Sequence, residues 1–285
     1  MLVWRKISSE KWLDSWEERL AFLGWDRLVR TQFAGSRRVR LEVFDVTEAE
    51  SAILLKRFGG EVRDLKISTA DWVRTFVWKA PISIRGRLRI INREPEPGAP
   101  FDPKTIYIPA NLAFGTGEHA TTAACLRLLT DIAPKKRDDW DFLDAGTGTG
   151  ILAIAAMRLG ARRILGFDFD RTAVRIAKAN ARLNKANKLK LLRADALTYT
   201  PDGQFDIVAA NLYGDLFRKA ASSLWLAMKP VGCLIVSGLT RDQLESVDET
   251  IRKLDGHVQL KRARGKWVTL LARKNSLVEN TGSRM

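Results

Sequence analysis

The run Trp140-Asp141-Phe142-Leu143-Asp144-Ala145-Gly146-Thr147-Gly148-Thr149-Gly150-Ile151-Leu152 is an apolar stretch that breaks into glycines and resumes as an Ala- and Leu-rich segment. That order predicts a strand, a tight turn and a helix, in which the glycines let the backbone bend sharply and let a ligand lie close against it. A dinucleotide loop needs G-x-G-x-x-G, whose third glycine would fall at position 151, where the chain has Ile. The spacing is instead G-x-G-x-G, in Gly146, Gly148 and Gly150, with Asp144 two residues ahead of the first. An acid placed there suits the ammonium of an amino-acid-bearing nucleoside better than a pyrophosphate, and points to S-adenosyl-L-methionine as the cofactor. About 20 residues beyond the glycines, Asp168 ends the next apolar run, where a carboxylate can accept both hydroxyls of a ribose. Asp195 ends the following strand, within reach of an adenine amino group, and Asp170 reads as a helix N-cap. Open α/β sheets bind substrates beyond the carboxyl ends of their strands, so Asn211, in Ala209-Ala210-Asn211-Leu212-Tyr213-Gly214, is the candidate for orienting the methyl acceptor.

The elements that carry these residues alternate. From about Ala120 to Lys274, amphipathic helix-length segments alternate with short apolar runs such as Ile164-Leu165-Gly166-Phe167 and Ile207-Val208-Ala209-Ala210, the pattern of an α/β domain with a mostly parallel sheet. Val258 to Lys261 and Trp267 to Ala272, flanking Arg264-Gly265, predict a closing hairpin. Ahead of this domain, residues 2–8 read as a strand and Ser9 to Gly24 as a helix with apolar Trp12, Leu13, Trp16 and Leu20. Two strands follow, Arg27 to Phe33 and Arg38 to Val46, around Ala34-Gly35-Ser36. Thr47 with Glu50 forms a capping box for a helix ending at Gly59-Gly60, and a strand runs from Glu61 to Ile67. The order βαββαβ predicts a small α+β, ferredoxin-like domain over residues 1–67. A linker is expected at 68–78, extended runs at Ile82 to Ile91 and Thr105 to Pro109, a catalytic domain over 79–274, and a frayed tail at 275–285.

Composition narrows the classes. With 285 residues, 46% hydrophobic and 28% charged, the chain can bury a sizeable core. No apolar stretch approaches the roughly 20 residues of a membrane span, and Met1-Leu2-Val3-Trp4-Arg5-Lys6 lacks a signal-peptide core, so a cytoplasmic protein is expected. Cys125 and Cys233 are the only cysteines, too few for a thiolate metal cluster, and no metal is implied. The formal net charge is +15, yet residues 1–70 hold 13 Lys and Arg against 11 Asp and Glu, so the excess lies further on, and it leaves open a nucleic acid, an acidic protein surface or simply a basic surface. A nucleic-acid methyltransferase is therefore the main rival reading, and a non-catalytic cofactor-binding assembly factor a third. Against the rival, the strand Arg37 to Phe44 lacks the Gly and stacking-aromatic pattern of an RNA-reading strand, and the turn after Asn211 is not Asn-Pro-Pro-Tyr.

A more specific signal is Leu112-Ala113-Phe114-Gly115-Thr116-Gly117-Glu118-His119-Ala120-Thr121-Thr122, followed by Asp144 to Leu152. Together these resemble the PrmA family, methyltransferases of large-subunit ribosomal protein eleven, and the resemblance runs from about Asp71 to Val268. It implies a Rossmann-like, seven-stranded catalytic domain that methylates lysine and N-terminal amino groups, preceded by a small domain that recognises the ribosomal protein and a mobile linker; a monomer is expected, with ribosomal RNA as a further contact. By position, Thr116, Gly117, His119 and Thr122 would border the cofactor pocket. Asp144 with Gly146, Gly148 and Gly150 would hold the methionine part, Asp168 the ribose and Asn211 the acceptor amine. The other reading of His119 is a hydrogen-bonded loop histidine.

Overall fold

Alternating apolar and polar side chains fold the start of the chain into a half-covered antiparallel sheet. The computed structural model describes residues 1–9, 12, 16, 19–20, 23, 27–32, 37–65, 81–109, 115–133 and 139–275. The chain divides into two compact units, Met1–Lys79 and Ala80–Met285. In the first, β1 (Leu2–Ser9) pairs antiparallel with β3 (Arg38–Phe44) and β4 (Glu61–Asp64), and β2 (Leu28–Gln32) flanks β3, giving the order β2-β3-β1-β4. Val39, Leu41 and Val43 turn to the buried face, where they meet Trp4, Trp16, Leu20 and Leu54. The expected capping box forms at α1 (Glu48–Phe58): Glu50 N donates to Thr47 Oγ1 at 3.2 Å and Thr47 N to Glu50 Oε2 at 2.8 Å. Most of the helix expected at Ser9 to Gly24, the turn Ala34-Gly35-Ser36, the end of the strand expected to reach Ile67, the linker 68–78 and residues 276–285 lie outside the described residues. Asn275 does not fray: its amide donates to Asp255 O at 3.0 Å.

The second unit is built on a seven-stranded sheet in the order β10-β9-β8-β11-β12-β14-β13. Its strands are β8 (Trp140–Ala145), β9 (Ala161–Asp168), β10 (Lys190–Arg193), β11 (Phe205–Asn211), β12 (Met228–Thr240), β13 (Gly256–Arg264) and β14 (Trp267–Lys274). From β10 to β12 neighbours are parallel, and β14 enters antiparallel between β12 and β13. β8 and β11 are almost entirely buried because helices cover both faces, which is why they read as apolar runs and not as alternating ones. The helices are α2 (Ala120–Ile132), α3 (Ile151–Arg158), α4 (Arg171–Leu183), α5 (Gly214–Leu226) and α6 (Leu244–Lys253). Two apolar cores result, one holding Leu126, Phe142 and Ile154, the other Leu143, Val208 and Phe217. After β8 the chain adds β9 and β10 on one side, then returns to add β11 on the other. The crevice between β8 and β11 is thus a topological switch point, where open sheets bind ligands.

The extended run expected from Ile82 to Ile91 is two strands, β5 (Ile82–Ile84) and β6 (Leu88–Ile91), and this corrects the reading of one continuous stretch. Arg85 and Gly86 take φ of 53° and 66°, the paired positive values of a tight hairpin turn. β7 (Thr105–Tyr107) then joins β6 in parallel, making a separate three-stranded sheet. No helix among the described residues is long and apolar enough to cross a membrane.

Candidate active site

The glycine loop takes its shape from backbone bonds to the neighbouring strand. Gly146 N and Thr147 N both donate to Phe167 O at 2.9 Å, and Gly150 N donates back to Thr147 O at 2.8 Å before α3 begins. At the loop's entrance Asp144 is 1% exposed. Thr147 Oγ1 donates to its Oδ2 at 2.7 Å, while Oδ1, fully buried, has no hydrogen-bond partner. Burial pushes this carboxyl up to about 7, opposed by the Thr147 hydroxyl and the nearby Ala153 amide and assisted by the Asp168 charge. A buried acceptor left unpaired is costly, and a bound ammonium would satisfy it. Two residues past the first glycine, Gly148 N donates to Asp168 Oδ2 at 2.9 Å, and Asp170 N to Oδ1 at 3.0 Å. The loop therefore aims the Asp168 carboxylate as well as turning the chain into α3. Asp170 caps α4 as expected, accepting from Thr172 N at 2.8 Å.

The turn at residues 115–122 docks on the same loop, with Thr149 Oγ1 donating to Gly115 O at 2.5 Å and Asn92 Nδ2 to Thr116 O at 2.8 Å. A Cβ on Gly117 would meet Ile151 Cδ1 at 3.3 Å, so this residue too lies against the start of α3. Thr122, one turn into α2, is 1% exposed and its Oγ1 is a second buried atom without a partner. His119 is the N-cap of α2: its Nδ1 accepts from Thr121 N at 3.4 Å and lies 2.8 Å from Thr121 Oγ1, and its ring stands edge-on to Trp267 with centroids 5.2 Å apart. These bonds match the reading of a hydrogen-bonded loop histidine. Residues 110–114, which open the run, are outside the described residues.

Asn211 ends β11 beside Ser237 of β12, one residue beyond the pairing of Ala210 with Ala145. Its neighbour Leu212 packs on the glycine loop so closely that a Cβ on Gly146 would sit 2.5 Å from Leu212 Cδ2. The acceptor candidate and the cofactor loop are thus brought together from opposite sides of the switch point. Asp195 does a turn residue's work, its Oδ1 accepting from Leu197 N at 2.9 Å and its carbonyl from Tyr199 N at 2.8 Å.

Several supports escaped the sequence reading. Asn180 Nδ2 donates to Thr149 O at 2.9 Å from inside α4, and Asn184, one turn on, exchanges two bonds with Tyr107 in β7. Polar residues four apart on the same buried stripe as Ala177 and Ala181 were the available signal. Beneath the crevice Ser237 Oγ and Thr269 Oγ1 lie 2.7 Å apart, next to Cys125, whose thiol burial pushes up to about 12. Such a thiol stays protonated and inert. Among the described residues no group of three His, Cys, Asp or Glu side chains could hold a metal.

This donor set fits S-adenosyl-L-methionine, offering an unpaired buried carboxylate oxygen for an ammonium and an oriented acid for a ribose, with a neutral amide at the neighbouring strand edge. The pattern of the family described as ribosomal protein L11 methyltransferase (PrmA) matches residues 34–275. The ribosomal protein L11 methyltransferase of Caulobacter sp. (strain K31) is 36% identical over 210 residues, 72% of each chain. That of Caldicellulosiruptor saccharolyticus is 31% identical over 253 residues, 87% of this chain and 81% of the relative. The crystal structure of a ribosomal protein L11 methylase from Lactobacillus delbrueckii subsp. bulgaricus superposes with a TM-score of 0.60 at 28% identity, covering 69% of this chain and 100% of that one. On its sequence and its fold, then, the chain belongs to the ribosomal protein L11 methyltransferase (PrmA) family.

Proposed function

We propose that this protein transfers methyl groups from S-adenosyl-L-methionine to lysine and N-terminal amino groups of the large-subunit ribosomal protein L11. The observation that carries this reading is the joining of three parts around one loop: the unpaired Asp144 Oδ1, the Gly148 bond that orients Asp168, and the packing of the Asn211-Leu212 turn on Gly146. When bound, the cofactor supplies a methyl group on a positively charged sulfur, open to in-line displacement. That methyl carbon would be open to the amine lone pair, with the C–S electron pair kept by sulfur and the amine proton left to solvent. Catalysis by the chain is then positioning, which can supply roughly 7–11 kcal/mol. Asp144 pairs with the ammonium, Asp168 with the ribose, and the Asn211 amide oxygen accepts from the amine N–H and so aims the lone pair. Thr116, Gly117 and Thr122 line the wall nearest α2, with the Thr122 hydroxyl free to bond the cofactor, and Asp195 borders the adenine. A lysine has an ordinary pKa near 10.4 and must lose its proton first, which a cation-rich catalytic unit favours. Residues 1–67 are read as a ferredoxin-like domain that recognises the protein substrate, an assignment supported by the strand order β2-β3-β1-β4, with residues 68–78 as the linker.

The test is to incubate the full chain with radiolabelled S-adenosyl-L-methionine, purified L11 and ribosomal RNA, and to map the label by mass spectrometry. Label on L11 lysine and N-terminal amines is expected. Label confined to RNA would replace the proposal with an RNA methyltransferase, and cofactor binding without transfer would replace it with a non-catalytic assembly factor.

A further inference from the structure

Arginines from three separate segments converge on the last turn of α2. Arg85, in the β5–β6 turn, places Nε 2.9 Å from Asp131 Oδ1 and Nη2 3.0 Å from Oδ2. Arg262 of β13 places Nη1 2.9 Å from the same Oδ2, and Arg87 donates from Nη1 to Thr130 O at 2.8 Å. One turn back on α2, Arg127 is held below the usual guanidinium range by burial first and then by the charges of Arg264 and Arg85. Among the described residues, two guanidiniums therefore share one carboxylate, a third bonds the carbonyl beside it, and further along the same helix Arg127 feels the charges of Arg264 and Arg85. A helix C-terminus favours a cation, but by about 1 kcal/mol at a surface, too little to explain three arginines there and two more along the helix. The side chains of Arg85 and Arg262 remain 45% and 39% exposed, so the excess charge faces solvent. It also sits in the part of the chain that carries the net charge, since residues 71–285 hold 35 Lys and Arg against 22 Asp and Glu.

We propose that this arginine cluster is an RNA-binding surface, which holds backbone phosphates while the active site works on a protein that is itself a component of an RNA-containing particle. Planar guanidinium forks match phosphate oxygens two at a time, and a flexible chain of regularly spaced phosphates can reach groups that come from a turn, a helix and a strand. A folded acidic protein would have to present carboxylates at one fixed spacing. The surface is also continuous with the site, because Arg264 pairs across the hairpin with Trp267, whose ring meets His119 at the other end of α2. RNA held at Asp131 would lie about 20 Å along the helix from that N-cap. The RNA binding stands on the cluster alone, and only its coupling to methylation rests on the function proposed above.

The experiment titrates the full chain against a fluorescein-labelled RNA hairpin, by fluorescence anisotropy at several salt concentrations. In the variant carrying Arg85→Ala, Arg127→Ala and Arg264→Ala, the slope of log affinity against log salt is expected to fall by about 1 per arginine, with affinity at low salt down about tenfold or more. S-adenosyl-L-methionine affinity and methylation of free L11 stay unchanged. Should the triple variant fail to fold, Arg85→Gln and Arg264→Gln singly are each expected to lower the slope by about 1. Unchanged slopes overturn the proposal. So does poly-glutamate that displaces the RNA and loses affinity for the variants by the same factor, which would make this a surface for an acidic protein. Wild-type protein that binds RNA but methylates nothing sinks the catalytic reading and leaves the RNA surface intact.

Discussion

At the scale of single residues, Asp144 carries an unusual load. Its carboxyl is pushed up to about 7, chiefly by burial. An unfolded Asp titrates near 3.9, so the folded, unliganded chain holds a proton there that the unfolded chain releases. This group's stabilising contribution is fully present below about pH 3.9 and is lost as pH rises through about 7. Binding an ammonium needs the ionised form, so the sign for ligand is opposite, and cofactor affinity should weaken as pH falls below about 7. Asp144→Asn is expected to abolish that pH dependence, to weaken S-adenosyl-L-methionine by about tenfold or more, and to raise the unliganded Tm at alkaline pH. Calorimetric titrations and melts across neutral pH read all three, and an unchanged affinity profile in the variant would remove Asp144 from the site. In the proposed mechanism Asn211 has a different part, as a neutral acceptor for the incoming amine. Asn211→Ala should lower kcat and kcat/KM together by about tenfold while leaving cofactor affinity within about twofold. A rise in KM alone would make it a simple binding contact.

At the scale of elements, the site depends on how closely β12 approaches the turn after β11. Gly238 has φ of 83°, and a Cβ there would stand 2.4 Å from Leu212 O and 2.8 Å from Leu212 C. The obstacle is backbone, which cannot swing aside as a side-chain tip can. Gly238→Ala must therefore shift the Asn211-Leu212 turn or strain β12, at a cost of about 1–3 kcal/mol. The expected signature is a lower Tm together with a kcat reduced more than cofactor affinity, because the glycine loop is anchored independently through Phe167 O and Asn180. Equal losses in kcat and cofactor affinity would mean that the two loops move as one body.

At the scale of the whole molecule, the two units differ in charge as well as in fold. The nearly balanced composition of residues 1–70 and the basic remainder suit a division of labour between recognition of the substrate protein and catalysis beside RNA. A fragment beginning at Ala80 retains every described residue of the candidate site. It should bind S-adenosyl-L-methionine like the full chain yet methylate intact L11 far more slowly. Cofactor titration and label incorporation on the same preparation check this, and full activity in the fragment would deny the amino-terminal unit a part in recognition.

The glycine loop, Asp168, the Asp170 cap and the Thr47–Glu50 box were all legible in the chain itself. Each is a local device, in which turn chemistry or helix capping couples residues a few positions apart, and hydrophobic period marks the elements between them. The parallel sheet was legible for the same reason, since a strand buried on both faces must be an apolar run. Other features had no local trace. The turn that splits Ile82 to Ile91 rests on a positive φ at Arg85, a residue type that seldom adopts one, and so the run read as continuous. Asn180 reaches Thr149 across 31 positions, and Arg262 reaches Asp131 across 131. Whether Leu212 meets Gly146 depends on β8 and β11 being neighbours in the sheet, which the order of strands along the chain does not state. The sequence by itself determined which chemistry the chain carries, because ligand-binding residue types and turn signals are written locally. Only the tertiary structure decided which of those groups share one crevice and which arginines share one surface, because strand order and helix packing bring distant positions together without leaving a local pattern.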